Sequence, residues 1–287
     1  MTDHDDTPAE PAIRLGRRQL LVTGGATISL GALLAACGGS SAEGEPGRVG
    51  YAPVPTALPI ETVDDSVYLR TAQSIEYTIL DVYGTITDSG ALTGSDADLL
   101  ARLVENHTLA AEEVGGLVIE SGGEPYECAN SWYMERVVPQ IFEHIDGNPD
   151  EDIPPTDDPA RDMLAVMDAM ESMAASMYQG LVEKLLVPEL RAQVIVLGAR
   201  SARQSAGVAI ASTGAPNAYV SPAVRGEEVV PDESGLIPLH AIPAQFGTLN
   251  PYSLVIGAPS SAGTRFTMPI ETPADNSYVY TGQTCDT

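Results

Sequence analysis

The sequence predicts a mainly α-helical protein, in which four amphipathic helices form a bundle and an irregular, β-containing extension follows. Three observations support this prediction. Apolar residues recur every three or four positions in four long segments, as on the buried face of a helix. Aromatic residues make up only 5% of the chain, which suits closely packed helices. After residue 213, prolines and glycines recur every few positions, which ends the helical pattern.

The first 37 residues read as an export signal rather than as part of the fold. Arg17-Arg18 precede a moderately apolar run, as in a twin-arginine signal, and the run ends in Leu34-Ala35-Ala36-Cys37, which resembles a bacterial lipobox. Cys37 is therefore predicted to be the lipidated first residue of a mature protein at the outer face of the cytoplasmic membrane. The alternative is a single transmembrane anchor, for which this glycine-containing run is short.

Residues 38–62 are rich in Gly, Ser, Glu and Pro, and they are predicted to form a flexible tether. The formal charge of the chain is -26, and removal of residues 1–36 takes away four acids and three arginines, so that -26 + 1 = -25 remains. Such a surface repels nucleic acid. The partners we expect are the membrane, through the N-terminal lipid, and another envelope protein.

The folded part is predicted to begin with two helices joined by a short turn. The first ends at Gly90, and the second starts at Ser95, with Asp98 three residues on as in a capping box, and stops at Gly122. Their inward stripes are Leu69, Ala72, Glu76, Ile79, Tyr83 and Ile86 on the first helix, and Leu100, Leu103, His107, Ala110, Val114 and Leu117 on the second.

Asp158-Pro159 and Pro188 predict the starts of the other two long helices. Their inward stripes are Met163, Met167, Met170, Ala174, Met177, Leu181 and Leu185, and then Leu190, Val194, Leu197, Ser201, Ser205 and Val208. The connection between the two helix pairs has a helical piece of its own, interrupted by Pro139. Residues 63–213 thus read as an up-down four-helix bundle with a long crossover.

Residues 214–287 are predicted to form a Pro/Gly-rich extension, either wrapped on the bundle or folded as a small β subdomain. Its candidate strands are residues 219–220, 253–256, 264–270 and 278–280. Cys128 and Cys285 are predicted to form a disulfide, since they are the pair that remains in an oxidising compartment. A loop of this length is worth on the order of 4 kcal/mol. Two free or intermolecular thiols are the alternative.

Three polar residues interrupt the inward stripes at the same depth. They are Glu76, His107 and Glu171. An ionised carboxylate inside a protein costs several kcal/mol unless it is paired or bound to a cation. One explanation is a metal ion, since two carboxylates and an imidazole suit iron, manganese or zinc. The other is a closed hydrogen-bond network completed by Tyr77, Tyr178 or an arginine.

The segments Ala72–Tyr77, Glu171–Tyr178 and Leu190–Ala202 resemble the ferritin-like family, particularly the exported ferritin-like proteins of actinobacteria. In that family two helices each supply one Glu, and two others each supply a Glu-x-x-His pair. Glu76 and Glu171 match the single-Glu positions.

The two Glu-x-x-His pairs of that family have no full match in this sequence. Gly198 and Ser201 stand at one pair, whereas His107 lies near the Glu position of the other and Ala110 stands at its His position. The resemblance thus implies a degenerate di-iron site. What remains is a single iron or manganese on Glu76, His107 and Glu171, or a polar core without metal.

The acidic loop before the third long helix has oxygen ligands at the spacing of an EF-hand, which predicts a possible Ca²⁺ site. These ligands are Asp146, Asn148, Asp150, Asp152 and Asp157. Against this interpretation, Glu151 stands where the sharp turn needs glycine, and three prolines stiffen the loop. A solvated acidic loop is the alternative.

No nucleophile motif of the Gly-x-Ser-x-Gly type and no phosphate-binding glycine loop occurs in the sequence. The main expectation is a non-catalytic lipoprotein of the cell envelope, which acts as an interaction or accessory module and needs no cofactor. One alternative is a ferritin-like metal-binding protein or metal-dependent oxidase with a mononuclear site. The other is an acidic module that binds Ca²⁺ or another cation.

Overall fold

The computed structural model describes residues 62–214, 252–270 and 277–285. The export signal with Cys37, the tether up to residue 61 and the candidate strand at 219–220 lie outside the described residues. The described part is mainly helical and has one small antiparallel sheet, as the sequence predicts.

Six α-helices and two strands make up this part of the chain. They are α1 (Asp65–Ser89), α2 (Ser95–Glu120), α3 (Ser131–Arg136), α4 (Val138–Asp146), α5 (Pro159–Lys184), α6 (Pro188–Thr213), β1 (Tyr252–Ile256) and β2 (Phe266–Ile270). A 3₁₀ turn at Pro149–Glu151 lies between α4 and α5. The four long helices α1, α2, α5 and α6 match the four predicted segments.

The ends of the long helices are set mainly by local chemistry. The Asp64 carboxylate accepts a hydrogen bond from the Val67 N–H at 3.0 Å at the start of α1, and Asp158 does the same for Arg161 at 3.0 Å at the start of α5. Gly214 ends α6 in a left-handed conformation at φ 66°. The predicted capping role of Ser95 is wrong, because Ser95 is already helical and no side chain caps α2.

The four long helices pack in the pairs α1 with α2, α5 with α6, α1 with α5 and α2 with α6. Every residue of the four predicted inward stripes is buried, so the helical spacing identified the core faces correctly. None of the helices in the described residues has the length and apolar character needed to cross a lipid bilayer.

The crossover between α2 and α5 contains two short helices rather than one helix broken at a proline. The break falls at Val137, between α3 and α4, and Pro139 is part of the first turn of α4. A proline in the first turn costs no hydrogen bond, because that N–H has no partner within the helix. Pro139 therefore starts a helix and does not interrupt one.

The two strands form a hairpin that packs on α5. Leu254 lies opposite Met268 in the antiparallel register, and both side chains are buried. The buried carboxylate of Asp162, in the first turn of α5, accepts hydrogen bonds from the Gly257 N–H at 2.7 Å and from the Thr156 hydroxyl at 2.5 Å. One carboxylate thus joins the hairpin, α5 and the loop before it.

Residues 277–285, here called the C-terminal strap, lie along α1 without forming a strand, so the predicted strand at 278–280 is wrong. The Val279 N–H donates to the Thr71 hydroxyl at 2.9 Å, and the Asn130 amide donates to the Ser277 carbonyl at 2.9 Å. Side chains of α1 and the crossover satisfy these backbone groups in place of a neighbouring strand.

The predicted disulfide between Cys128 and Cys285 is confirmed, with the two Cα atoms 5.9 Å apart. It joins the end of the strap to the crossover. The buried Arg70 guanidinium joins the same two segments, since it donates to the carbonyls of Glu124 and Gln283. Its burial lowers the pKa of Arg70 from the ordinary value.

Removal of the disulfide should weaken the fold without abolishing it. In the Cys128→Ser/Cys285→Ser chain we expect the free energy of unfolding to fall by about 2–4 kcal/mol, because the unfolded chain gains the freedom of a long open loop. Urea unfolding measures this loss. Dithiothreitol should produce the same loss in the wild-type chain and none in the double variant. Equal stability of the two chains would contradict the expectation.

Candidate functional site

Three long helices bring Glu76, His107 and Glu171 together at one depth in the core. All three side chains are essentially inaccessible to solvent. The Nδ1 atom of His107 lies 2.5 Å from Glu76 Oε2, and its Nε2 atom lies 2.9 Å from Glu171 Oε1. The imidazole of α2 therefore links a carboxylate of α1 to a carboxylate of α5.

The two carboxylates bind opposite edges of the imidazole ring. Nδ1 and Nε2 point away from each other, so a carboxylate on each nitrogen leaves neither of them a lone pair for a metal ion. Within the described ranges no group of three or more His, Cys, Asp or Glu side chains is arranged to share one ion. Glu76, His107 and Glu171 thus form a line of hydrogen bonds and do not converge on a common point.

Two buried tyrosines complete the hydrogen bonding of the carboxylates. The Tyr178 hydroxyl donates to Glu76 Oε1, and the Tyr83 hydroxyl donates to Glu171 Oε1 at 2.7 Å. Burial, followed by the neighbouring carboxylates, raises the pKa of both tyrosines well above the ordinary value. Both hydroxyls therefore remain protonated and continue to donate.

Gln204 of α6 closes the network from the fourth helix. Its amide nitrogen donates to Glu171 Oε2 at 3.0 Å. Its amide oxygen has no hydrogen-bond partner among the described residues, which makes Gln204 the least satisfied member of the network. Ser201, one turn earlier, directs its hydroxyl to the Leu197 carbonyl of its own helix and takes no part in the network.

Gly198 makes room for Tyr178. A Cβ atom at position 198 would lie 3.0 Å from the Cβ of Tyr178, which is tighter than most real contacts. The position where the ferritin-like pattern places a metal-binding Glu is therefore used to pack a tyrosine, whose hydroxyl then reaches Glu76. The donor atoms that a di-iron site requires are missing at Gly198, Ser201 and Ala110, so the residues present do not fit such a site.

The charge at the centre is set by competition between burial and the carboxylates. Burial alone lowers the pKa of His107, but the charges of Glu171 and Glu76 and their hydrogen bonds outweigh this effect and raise the pKa from 6.5 to about 10. The ring is thus an imidazolium at neutral pH, and both of its N–H groups donate. One buried positive charge lies between two carboxylates.

Sequence reasoning named Tyr178 as a possible member of the network but missed Tyr83 and Gln204. Tyr83 follows Glu76 by seven residues, which is two helical turns, so it lies on the same face of α1. The helical spacing places Tyr83 in the inward stripe of α1, and a buried tyrosine hydroxyl needs a partner, which is the signal that points to the network. Tyr77, the other tyrosine considered, is only half-buried.

Two of the five residues predicted to bind Ca²⁺ form other contacts in the structure. Asn148 pairs with Ile153 in an isolated antiparallel bridge, and its side-chain oxygen, the atom that would bind Ca²⁺, accepts from the Asp150 N–H at 3.0 Å. Asp157 pairs with Arg265 at 2.7 Å and with Arg161 at 3.0 Å, which holds its pKa well below the usual range.

The other three ligands belong to the end of α4 and to the short turn that follows it. Asp146 is the last residue of α4, and Asp150 belongs to the 3₁₀ turn that Asp152 ends in a left-handed conformation. The loop is therefore folded around its own hydrogen bonds and its contact with Arg265.

Comparisons with known proteins assign no family to this chain. No protein-family profile matches the sequence, and no curated protein matches it. The function is therefore argued from the geometry of the chain itself.

The imidazolium should make stability fall as the pH rises from 6.5 toward 10. Below pH 6.5 His107 is protonated in the folded and in the unfolded chain, so its stabilising contribution is complete. Above pH 6.5 the unfolded chain releases the proton, whereas the folded protein keeps it until about pH 10, so the contribution is progressively lost. One extra bound proton gives a slope of about 1.4 kcal/mol per pH unit at most.

Urea unfolding at several pH values between about 6 and 9 measures this slope. Tyr83 and Tyr178 do not contribute there, because their pKa values lie above the window. A His107→Gln chain should lack the downward slope. A wild-type stability that is flat across this range would show that His107 is not held as an imidazolium.

The contact between α5 and α6 predicts opposite effects for two glycine substitutions in the same helix. Gly207→Ala should raise the free energy of unfolding by about 0.5–1 kcal/mol, because alanine favours the helix and a Cβ atom there meets nothing within 4 Å. Gly198→Ala should lower it, because the new Cβ atom would lie 3.0 Å from the Cβ of Tyr178, which is fully buried and bonded to Glu76. Denaturant unfolding compares the two variants, and an equal gain in both would contradict the tight contact.

Proposed function

We propose that this protein is a non-catalytic lipoprotein of the cell envelope, in which a ferritin-like four-helix bundle acts as an interaction or accessory module. One observation carries the proposal. Both nitrogens of the His107 ring are hydrogen-bonded to carboxylates, at 2.5 Å to Glu76 and at 2.9 Å to Glu171. Each of these carboxylates also accepts a hydrogen bond from a tyrosine hydroxyl. The polar centre is therefore satisfied by its own side chains.

A satisfied and inaccessible centre is poorly suited to catalysis. A general base or a nucleophile needs a lone pair directed at a substrate, and the substrate needs a path to it. Here the imidazole has no free lone pair, and the side chains of Glu76, His107 and Glu171 are shielded from solvent. A buried network that pairs its charged groups in this way holds helices in a fixed arrangement.

The ferritin-like form of the bundle is supported by the helix pairs and by the depth of the polar residues. α1 packs on α2 and α5 packs on α6, with a long crossover between the two pairs. Glu76 and Glu171, which match the single-Glu positions of that family, lie on either side of His107 at the centre. The location at the outer face of the membrane is supported by the twin-arginine pattern and by the lipobox at Cys37.

The metal alternative requires a different arrangement of the centre. A mononuclear site for iron or manganese on Glu76, His107 and Glu171 needs the imidazole to leave at least one carboxylate, which would then lose its buried partner. The Ca²⁺ alternative needs Asp157 to leave Arg161 and Arg265. Neither arrangement is favoured by a contact in the described residues.

The proposal is tested on the full chain, expressed with its own N-terminal region in a bacterium that exports and lipidates such proteins. We expect the wild-type chain in the membrane fraction, the Cys37→Ala chain outside it, and only substoichiometric iron or manganese in the purified protein. Photo-crosslinking in native membranes should join the wild-type chain to another envelope protein. The Cys37→Ala chain serves as the control, since it lacks the anchor.

Two results would overturn the proposal. The first is stoichiometric iron or manganese in the natively exported chain that disappears in a Glu76→Ala variant. The second is an unchanged membrane association after Cys37→Ala, which would remove the lipid anchor. Elemental analysis and fractionation keep these two failures apart.

A further inference from the structure

The outer face of α6 has a seven-residue repeat that the interior of the protein does not explain. Glu189, Val196, Arg203 and Ile210 follow one another at intervals of seven, and Ala199 and Ala206 form a second row beside them. Residues seven apart lie on one face of a helix, as in the contact stripe of a coiled coil. The buried residues of α6, such as Val194 and Val208, face the opposite way.

This face carries much of the exposed apolar surface in the described part of the chain. Ile195 is 54% and Val196 is 59% exposed, and Ile210 is also exposed. Leu186, 76% exposed, and Val187 lie directly before the helix. These five are among the seven large apolar side chains that stand exposed in the described residues, so exposed apolar groups concentrate on one helix.

The charges on this face are arranged symmetrically about Val196. Glu189 lies seven residues before Val196, and Arg203 lies seven residues after it. Each separation corresponds to about 10.5 Å along the helix. Neither side chain has an ion-pair partner in the described ranges 62–214, 252–270 and 277–285.

Two antiparallel copies of such a helix complement each other. When a two-fold axis passes beside Val196, Glu189 of each copy lies opposite Arg203 of the other, and the two Val196 side chains meet at the centre. Ala199 lets the helix backbones approach closely, since small side chains shorten the distance between helix axes. The same arrangement brings Leu186 of one copy to the level of Ala206 in the other.

The charge of the chain also favours a contact between copies through α6 rather than through the other helices. The chain has a formal charge of -26, so two copies repel each other over most of their surfaces. α6 carries three arginines and one glutamate, and it is the one helix of the described residues with more basic than acidic side chains. Two α6 faces therefore meet without the excess of acidic side chains that the other long helices carry, and the attraction between them comes from the pairs of Glu189 with Arg203.

Two side chains of α6 bind carboxylates of the neighbouring helix α2. Arg200 donates to both carboxylate oxygens of Glu113 on α2, at 2.9 and 3.0 Å, and Gln193 donates to Glu120 at 3.2 Å. These contacts attach the flank of α6 to α2, and Val196 borders the groove between the two helices while staying 59% exposed. The outer face is thus presented by a helix that is already fixed.

We propose that a second copy of this chain docks on α6, with the two α6 helices antiparallel about a two-fold axis beside Val196. The contact consists of a central apolar strip and two symmetric pairs of Glu189 with Arg203. It does not depend on the function proposed above.

The geometry is tested by disulfide trapping of the full chain in native membranes. A Val196→Cys chain should form a covalent dimer under mild oxidation, because the axis brings both copies of position 196 together. An Ile119→Cys chain is the matched control, since Ile119 is equally exposed but lies on α2. Wild type under the same oxidant should stay monomeric on a non-reducing gel.

Charge reversal tests the pairing independently of any cysteine. Glu189→Arg and Arg203→Glu should each raise the dissociation constant of the dimer by about tenfold, because each turns two attractive pairs into two repulsive ones. The double variant Glu189→Arg/Arg203→Glu should restore the wild-type value. Sedimentation velocity of the full chain measures all four proteins, and circular dichroism checks that each is folded.

Three outcomes would overturn the proposal. The first is a wild-type chain that sediments as a monomer at every concentration. The second is equal trapping of Val196→Cys and Ile119→Cys, which indicates random collision. The third is a Val196→Cys chain that neither dimerises nor reacts with a thiol reagent, which would mean that the face is covered within a single chain.

Discussion

The bond of His107 to two carboxylates is the interaction on which the rest of the structure depends. It joins α2 to α1 through Glu76 and to α5 through Glu171, at 2.5 and 2.9 Å. A carboxylate buried in the core is costly unless it is paired, and the imidazole could not stay protonated there without the two carboxylates. The three residues therefore require one another, and together they fix the height at which three helices meet.

A small residue on α6 makes room for a side chain that binds one of the two carboxylates. Tyr178 reaches Glu76 only because Gly198 leaves space against its Cβ atom, and Gln204 approaches Glu171 from the following turn of α6. A larger residue at position 198 would push the tyrosine away and leave an acceptor of Glu76 unpaired. The low aromatic content and the many alanines of the chain thus accompany a core that is organised by a few precisely bonded polar groups.

The helices were predictable from the sequence because their signals are local. Helical spacing identified the buried faces, and Asp158 and Pro188 marked the starts of α5 and α6. The arrangement of the centre was not predictable, because an inward position does not reveal whether a side chain binds a metal or a neighbour. The same limit applies to the strap, whose β-prone residues at 278–280 suggested a strand, although Thr71 of a distant helix supplies the partner of the Val279 N–H.

The closed centre and the outer face of α6 are two consequences of how this sequence distributes charge. Inside, the imidazolium of His107 holds two carboxylates. Outside, an excess of acidic residues makes most surfaces repel one another, so that any contact between copies depends on where arginines interrupt the acidic surface. They do so on α6, beside exposed valine and isoleucine. Interior electrostatics therefore specify the fold, and surface electrostatics select the face on which it associates.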